Sequence, residues 1–290
     1  MMKKKLLAMG LALTMSLGLA SCSSPAPAES APPADSAAPV SSEPADSAAP
    51  TTVDSLIMGT SADYPPFEFH ILKDGVDTIV GIDVSVGQQI AADMGAEFSV
   101  VHMDFDNLLT LMAQGNCDIV IAAMELDKDG ERSKAADCSD PYYSDLPPKI
   151  VVKAGNEAQY TSLDGFSGKV VGAQTGTTKV DVVNDQMPGA ELLSMASVVD
   201  LVNNLVYDKC DALVLDGAVA QKYLDSNDQL AGVDIDMGEA AQPYRVWVAK
   251  GDPKGLLPSI NATIAKITAD DTMTTYIEEA NELSSQALAN

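Results

Sequence analysis

Two charged residues of opposite sign stand where a folded chain could use them to hold a small ion. Arg132 ends a polar loop after the apolar segment 119–123, a predicted strand, and Asp216 directly follows a second apolar segment, 212–215. In an open α/β sheet, ligands bind beyond the carboxyl ends of the strands, so both side chains are placed to meet one. Arginine can hold a carboxylate through two parallel hydrogen bonds, and aspartate can pair with an ammonium group.

The segment Gly176-Thr177-Thr178 offers a third group, backbone N–H donors at the positive end of a predicted helix over 179–187. Thr178 and Asp181 also have the spacing of a capping box. Taken singly these signals are weak, because an arginine is commonly a solvated surface group and an aspartate after a strand often caps a helix. Together they fit a zwitterion such as a free α-amino acid, which needs one fixed cation and one fixed anion.

The predicted elements that carry these residues follow one pattern twice. Further strands are expected at 56–60, 97–103, 149–153, 169–173 and 244–250. Helices are expected to run from 81–84 to a stop at Gly95, from an N-cap at Asp106 to Gln114, over 256–268 and over 272–285. Asp106 is the predicted N-cap of the second helix. The segments 115–121 and 208–215 both place a cysteine and an aspartate before an apolar run. Two similar α/β lobes explain this recurrence.

A signature after the first of these runs resembles a known family. Glu131-Arg132 is followed by Ser139-Asp140-Pro141-Tyr142, as in the extracellular amino-acid-binding proteins of ABC importers, the family-3 solute-binding proteins. Cys138 stands where that family usually has Phe. Gly81-Ile82-Asp83-Val84 and Phe105-Asp106-Asn107-Leu108 resemble two further family segments, so the likeness covers essentially all of 53–290.

The resemblance implies an α/β, two-lobed periplasmic-binding-protein fold of type II with a hinge between the lobes. Lobe 1 is expected to comprise 53–146 plus 245–290, and lobe 2 to comprise 147–244. The implied function is capture of a free amino acid between the lobes and its delivery to the membrane subunits of an ABC permease, by a monomer. A dehydratase-like enzyme on the same fold and a ligand-sensing domain are the alternatives. The sequence contains no Gly-x-Ser-x-Gly elbow or candidate histidine base, and therefore favours a binding protein without catalytic residues.

The resemblance also implies roles for individual residues. Arg132 would take the ligand's carboxylate, Asp216 its ammonium, and Tyr64 and Phe67, on a loop stiffened by two prolines, would form an aromatic wall. The full predicted ligand-binding set is Ser61, Asp63, Tyr64, Phe67, Ala123, Met124, Glu125, Arg132, Gln174, Thr177, Thr178 and Asp216.

Two departures from the family pattern fall on positions that would select the ligand's side chain. Ser61, with Asp63 nearby, stands where an acidic or polar residue is common, and the loop 124–132 is two residues longer than usual. Glu125 occupies a position where Ser or Thr often donates a hydroxyl. It could face a cationic side chain, which slightly favours ligands like lysine or arginine over neutral polar ones, or it could pair with Lys128 or point to solvent.

The first 52 residues indicate export and anchoring. Three lysines at 3–5 precede the apolar run 6–20, which is too short to span a bilayer comfortably, and 1–21 are therefore a predicted lipoprotein signal peptide. The small residues before Cys22 resemble a lipobox, which would make Cys22 the lipid-modified first residue of the mature chain. Segment 22–52 is rich in Pro, Ala and Ser, and we expect a disordered tether. The predicted location is the extracellular face of the cell membrane.

Composition excludes other classes of function. The 290-residue chain has a formal net charge of −25, which opposes binding to nucleic acids. Cys117, Cys138 and Cys210 lack Cys-x-x-Cys spacing, and the only histidines are His70 and His102. The sequence thus supports neither a metal site nor a disulfide framework, and we expect buried free thiols and no cofactor.

Overall fold

The computed structural model describes residues 53–288. The predictions for the signal peptide, the lipidation of Cys22 and the tether lie outside these residues. The strands are β1 Ser55–Thr60, β2 Asp63–Tyr64, β3 Glu68–Lys73, β4 Val76–Val80, β5 Glu97–His102, β6 Ile119–Val120, β7 Ala136–Ser144, β8 Lys149–Lys153, β9 Val170–Gln174, β10 Glu191–Met195, β11 Ala212–Leu215, β12 Leu230–Val233 and β13 Pro243–Ala249. The helices are α1 Ile82–Met94, α2 Leu108–Ala113, α3 Glu131–Ala135, α4 Thr178–Gln186, α5 Val198–Val206, α6 Gly217–Ser226, α7 Leu257–Ala269 and α8 Thr272–Leu288.

Two five-stranded sheets define two lobes. Lobe 1 is built on the order β5-β1-β6-β13-β7, with β5, β1 and β6 parallel and β13 antiparallel to both neighbours. Lobe 2 is built on β10-β9-β11-β8-β12, with β10, β9 and β11 parallel and β8 antiparallel to β11 and β12. The chain passes from the first sheet to the second over residues 145–148 and returns over 234–242.

The predicted two-lobed α/β fold is thereby confirmed, while the exact residues at which the lobes divide stay a prediction. A separate three-stranded sheet, β2-β3-β4, flanks lobe 1. Within residues 53–288, no helix combines the length and apolar character needed to span a bilayer.

Each mixed sheet contributes buried residues to cores on both of its faces, as expected when helices cover both faces. In lobe 1, Leu56 and Met58 face one core together with α1, whereas Trp247 and Leu108 belong to the core on the opposite face. In lobe 2, Leu213 faces α5 and α6, and its neighbours on β11 alternate to the other face. Rigid sheets therefore hold the loops that leave their carboxyl ends.

Three local predictions are wrong. Asp106 lies inside a short 3₁₀ turn, Phe105–Asn107, and caps no helix. Thr178 does not form a capping box, because Thr177 holds the N-cap position of α4 and the Thr178 hydroxyl is directed elsewhere. Arg132 belongs to the one-and-a-half-turn helix α3 and not to a loop.

The three cysteines among the described residues have free thiols, as predicted. Cys117 and Cys210 are buried and Cys138 is half-buried. Burial raises the pKa of Cys117 to about 11 and that of Cys210 to about 12, so both thiols stay protonated at neutral pH.

Candidate functional site

The two lobes meet in a cleft in which Asp216 is buried and Arg132 is half-buried. Arg132 lies in α3 at the edge of lobe 1, and Asp216 holds the N-cap position of α6 in lobe 2. Arg132 Nη1 donates to the carbonyl of Glu125 at 2.5 Å, and Nη2 donates to the carbonyl of Gly176 at 2.9 Å. Because Glu125 follows β6 and Gly176 precedes α4, the guanidinium bridges the lobes.

The guanidinium of Arg132 also stacks over an aromatic ring. Its central carbon lies 5.4 Å from the ring centre of Phe105, within the range of cation–π attraction. Burial lowers the pKa of Arg132, while the nearby carboxylates of Glu125 and Asp127 oppose that shift. An arginine stays protonated in proteins in spite of such a shift, so the cleft contains a fixed cation suited to a carboxylate.

Asp216 is the fixed anion of the cleft, and lobe 1 contacts it directly. The hydroxyl of Tyr64 donates to Asp216 Oδ2 at 2.5 Å across the cleft. Burial raises the pKa of Asp216 to about 6, against the opposing charge of Lys179. Asp216 is therefore mostly ionised at neutral pH and can accept an ammonium.

Lys179, the second residue of α4, forms the centre of the charged cluster, and the sequence did not identify it as a site residue. Its ammonium pairs with Asp216 Oδ1 and lies 2.8 Å from Glu125 Oε1. The Thr178 hydroxyl donates to the same Glu125 oxygen. Burial alone would lower the pKa of Lys179, but the carboxylates of Asp216 and Glu125 outweigh it and hold the pKa above its ordinary value.

One sequence signal could have revealed Lys179. A lysine in the first turn of a helix faces the positive end of the helix dipole, so it needs a nearby carboxylate to be stable there. Glu125 supplies one from lobe 1. Two of the roles expected for Glu125 are wrong: it does not point to solvent, since it is only 4% exposed, and it does not pair with Lys128, which pairs with Asp185 at 3.0 Å.

Two neighbouring cavities share this cluster. The smaller has a volume of about 10 Å³, which leaves room for about one water molecule at most. A larger cavity of about 520 Å³ lies beside it, and Glu125, Lys179 and Asp216 line both. The smaller cavity is lined by Tyr64, Phe105, Ala122, Ala123, Glu125, Arg132, Gln174, Thr177, Lys179 and Asp216.

Seven of the twelve predicted ligand-binding residues therefore converge on the smaller cavity, and Thr178 lines the larger one. Phe105 and Ala122 are lining residues that the prediction omitted. Phe105 belongs to a segment that carried the family resemblance, and only its neighbour Asp106 had been given a role there.

Four predicted residues line neither of these cavities. Asp63 accepts a hydrogen bond from the backbone N–H of Val198 at 2.7 Å, which binds lobe 1 to the start of α5. Phe67 is fully buried with its ring centre 5.2 Å from that of Tyr244. Ser61 and Met124 are also buried. Contact of these four residues with a ligand stays a prediction.

The buried carboxylate of Asp83 stabilises the turn at Ala123, which lines the smaller cavity. Asp83 Oδ2 accepts a hydrogen bond from the backbone N–H of Ala123 at 2.6 Å, and its other oxygen accepts from the Tyr142 hydroxyl at 2.7 Å. Ala123 adopts a φ of 45°, a left-handed conformation that an alanine rarely takes. The bond to Asp83 holds this turn where the loop toward Glu125 begins.

The family model for bacterial extracellular solute-binding proteins, family 3, matches residues 56–280. The arginine-binding extracellular protein ArtP of Bacillus subtilis is 37% identical over 189 residues, which cover 64% of this chain and 71% of the relative. The ABC transporter arginine-binding protein 1 of Escherichia coli is 30% identical over 226 residues, covering 77% of this chain and 88% of the relative. Among solved structures, the amino acid ABC transporter substrate-binding protein AbpA of Streptococcus pneumoniae, bound to L-arginine, superposes with a TM-score of 0.75 at 30% identity. It covers 79% of this chain and 95% of its own.

Proposed function

Because the chain belongs to the bacterial extracellular solute-binding proteins of family 3, we propose that it captures a free α-amino acid between its lobes and delivers it to an ABC permease. It is a solute-binding protein and not an enzyme. One observation carries the ligand class: a fixed cation, Arg132, and a fixed anion, Asp216, come from different lobes and line one buried cavity. A free α-amino acid presents the two complementary charges.

Delivery of the amino acid to a permease depends on closure of the two lobes around it. A ligand that contacts Arg132 in lobe 1 and Asp216 in lobe 2 stabilises the closed form, and hinge closure around a ligand gives a permease a shape to recognise. The membrane subunits of an ABC permease are the proposed partner, and a monomer is the proposed state.

The relatives favour one class of ligand side chain over another. The two relatives and the solved structure described above bind arginine by name, which supports a cationic amino acid as the first candidate. Glu125, which suggested the same preference in the sequence, pairs with Lys179 and gives no separate support for it. Neutral polar amino acids such as glutamine are the next candidates.

A thermal-shift screen of the chain lacking residues 1–22 tests the proposal, because a ligand that binds the folded state raises its melting temperature. We expect one or a few of the twenty amino acids, ornithine or cystine to raise Tm by several degrees. Arg132→Ala and Asp216→Ala should abolish that rise while leaving the ligand-free protein folded. A well-folded, ligand-free sample that responds to no amino acid would overturn the proposed function, and a response retained in either variant would overturn the site.

We further propose that Cys22 carries a lipid that holds the protein at the extracellular face of the membrane. The three lysines, the apolar run and the small residues before Cys22 support this proposal. Labelled palmitate should be incorporated into the wild-type chain and not into Cys22→Ala; equal labelling of both would reject the anchor.

A further inference from the structure

The ammonium group of Lys179 occupies the position that a ligand's ammonium would need. Ammonium has three N–H donors, and the Lys179 group has three acceptors, in Asp216, Glu125 and the Thr178 hydroxyl at 3.2 Å. The side chain is 6% exposed. The smaller cavity, about 10 Å³, leaves no room for a second ammonium beside it, so an incoming α-amino acid displaces Lys179 from Asp216. Glu125 then remains as the carboxylate partner of Lys179.

The charges that line the smaller cavity balance before any ligand enters. Arg132 and Lys179 are positive, Glu125 and Asp216 are negative, and all four line the smaller cavity. A zwitterion with a neutral side chain keeps this balance. A cationic side chain adds a positive charge to this balanced set, which is costly in a desolvated site unless a carboxylate lining the smaller cavity is free to pair with it. Glu125 would be that carboxylate, but Lys179 neutralises it.

We infer that Lys179 is a specificity-determining residue that compensates Glu125 from within the chain and so lowers the preference of the cleft for amino acids with cationic side chains. This inference rests on the proposed function. It does not require that arginine be excluded, since the effect is on the ratio of two affinities. The binding groups for the ligand's carboxylate and ammonium, Arg132 and Asp216, remain the same for all amino acids.

Isothermal titration of the chain lacking residues 1–22 with arginine and with glutamine tests the inference. The measured quantity is the ratio of the glutamine Kd to the arginine Kd. In Lys179→Gln we expect this ratio to rise at least about tenfold over wild type, because Glu125 becomes free to pair with the guanidinium of the ligand. In the double variant Glu125→Gln, Lys179→Gln the ratio should return to within about threefold of wild type, because the local charge is balanced again.

Lys153→Gln is the matched control. Lys153 is also a lysine of lobe 2 in an ion pair, with Asp208 at 2.5 Å, but it lines neither cavity of the site. This substitution should leave the ratio unchanged. Circular dichroism establishes that each variant is folded. If Lys179→Gln fails to fold, Glu125→Gln provides the opposite test, because it leaves Lys179 as an excess cation and should lower the ratio about tenfold.

The possible failures can be told apart. A wild-type chain that binds neither amino acid nor any other in the thermal screen overturns the proposed function and this inference with it. A wild-type chain that binds, combined with an unchanged ratio in the folded Lys179 or Glu125 variant, overturns the inference alone. A raised ratio that persists in the double variant also overturns it, because Glu125 would then have no part in the selection.

Discussion

Asp216 shows how burial and neighbouring charges set the working range of a single carboxylate. Its charged neighbours are Lys179 from α4 and Glu125 from the loop after β6, and Tyr64 from β2 donates a hydrogen bond to it. Burial raises its pKa to about 6 in spite of Lys179. The ammonium of a ligand can pair only with the ionised carboxylate of Asp216. Below a pH of about 6, Asp216 is mostly protonated and this pairing is lost.

We therefore expect amino-acid affinity to be constant from about pH 8 to 7 and to fall as the pH drops through 6. One proton on Asp216 in the ligand-free protein should weaken binding about tenfold by pH 5. The sign follows from the raised pKa: the protonated form dominates below about 6 and cannot pair with an ammonium. Titration calorimetry between pH 5 and 8 measures the profile.

Asp216→Asn is the control for this profile. The variant should bind weakly at every pH, and its residual affinity should no longer change between pH 5 and 7. A wild-type affinity that stays constant down to pH 5 would contradict the assignment of Asp216 as the ammonium acceptor.

Among the elements, the loop into α4 approaches lobe 1 closely. Gly176 has a φ of 81°, and a Cβ built there would lie 2.8 Å from the Cβ of Asp106 in lobe 1. Its carbonyl also accepts a hydrogen bond from Arg132 at 2.9 Å. The glycine thus serves both the turn before α4 and the close approach of the lobes.

Gly176→Ala should weaken ligand binding about tenfold or more, because the added methyl group collides with Asp106 only when the cleft is closed. The left-handed backbone adds a stability cost of about 1 kcal/mol in the open and closed forms alike. Gly168→Ala is a matched control in lobe 2: its φ of 74° imposes the same backbone cost, but a Cβ there meets nothing within 4 Å. Equal affinities in the two variants, measured by titration calorimetry, would show that Gly176 does not govern closure.

The strands that precede Arg132 and Asp216, and this charged pair itself, were largely predictable, because apolar periodicity and the order of strand and loop depend on local sequence. The bounds predicted for β11 match the structure, and α1 ends before Gly95 as predicted. The roles of Lys179, Phe105 and Asp63 were not predictable in the same way, because each depends on a partner in the other lobe or in another loop. Such partners are decided by how the two lobes close, which periodicity within one segment does not encode.

At the scale of the whole molecule, the closed form leaves no room for an amino acid between Arg132 and Asp216. The smaller cavity of about 10 Å³ cannot hold an amino acid, and the interlobe bonds of Tyr64, Arg132 and Lys179 close the cleft around it. Binding between Arg132 and Asp216 therefore requires an open form, which the ligand enters before the lobes close with Lys179 displaced. Opening becomes a step of its own in the binding reaction.

The single tryptophan of the chain can report that step. Trp247 is fully buried on β13, and its indole N–H donates to the carbonyl of Met124 at 3.2 Å, directly before Glu125. In stopped-flow fluorescence, we expect the observed binding rate to approach a plateau as ligand concentration rises, because opening or closing of the lobes limits it. Gly176→Ala, which favours the open form, should shift the plateau, whereas Gly168→Ala should not. An observed rate that rises linearly to the highest ligand concentration would contradict a closed cleft that must open before the ligand can enter.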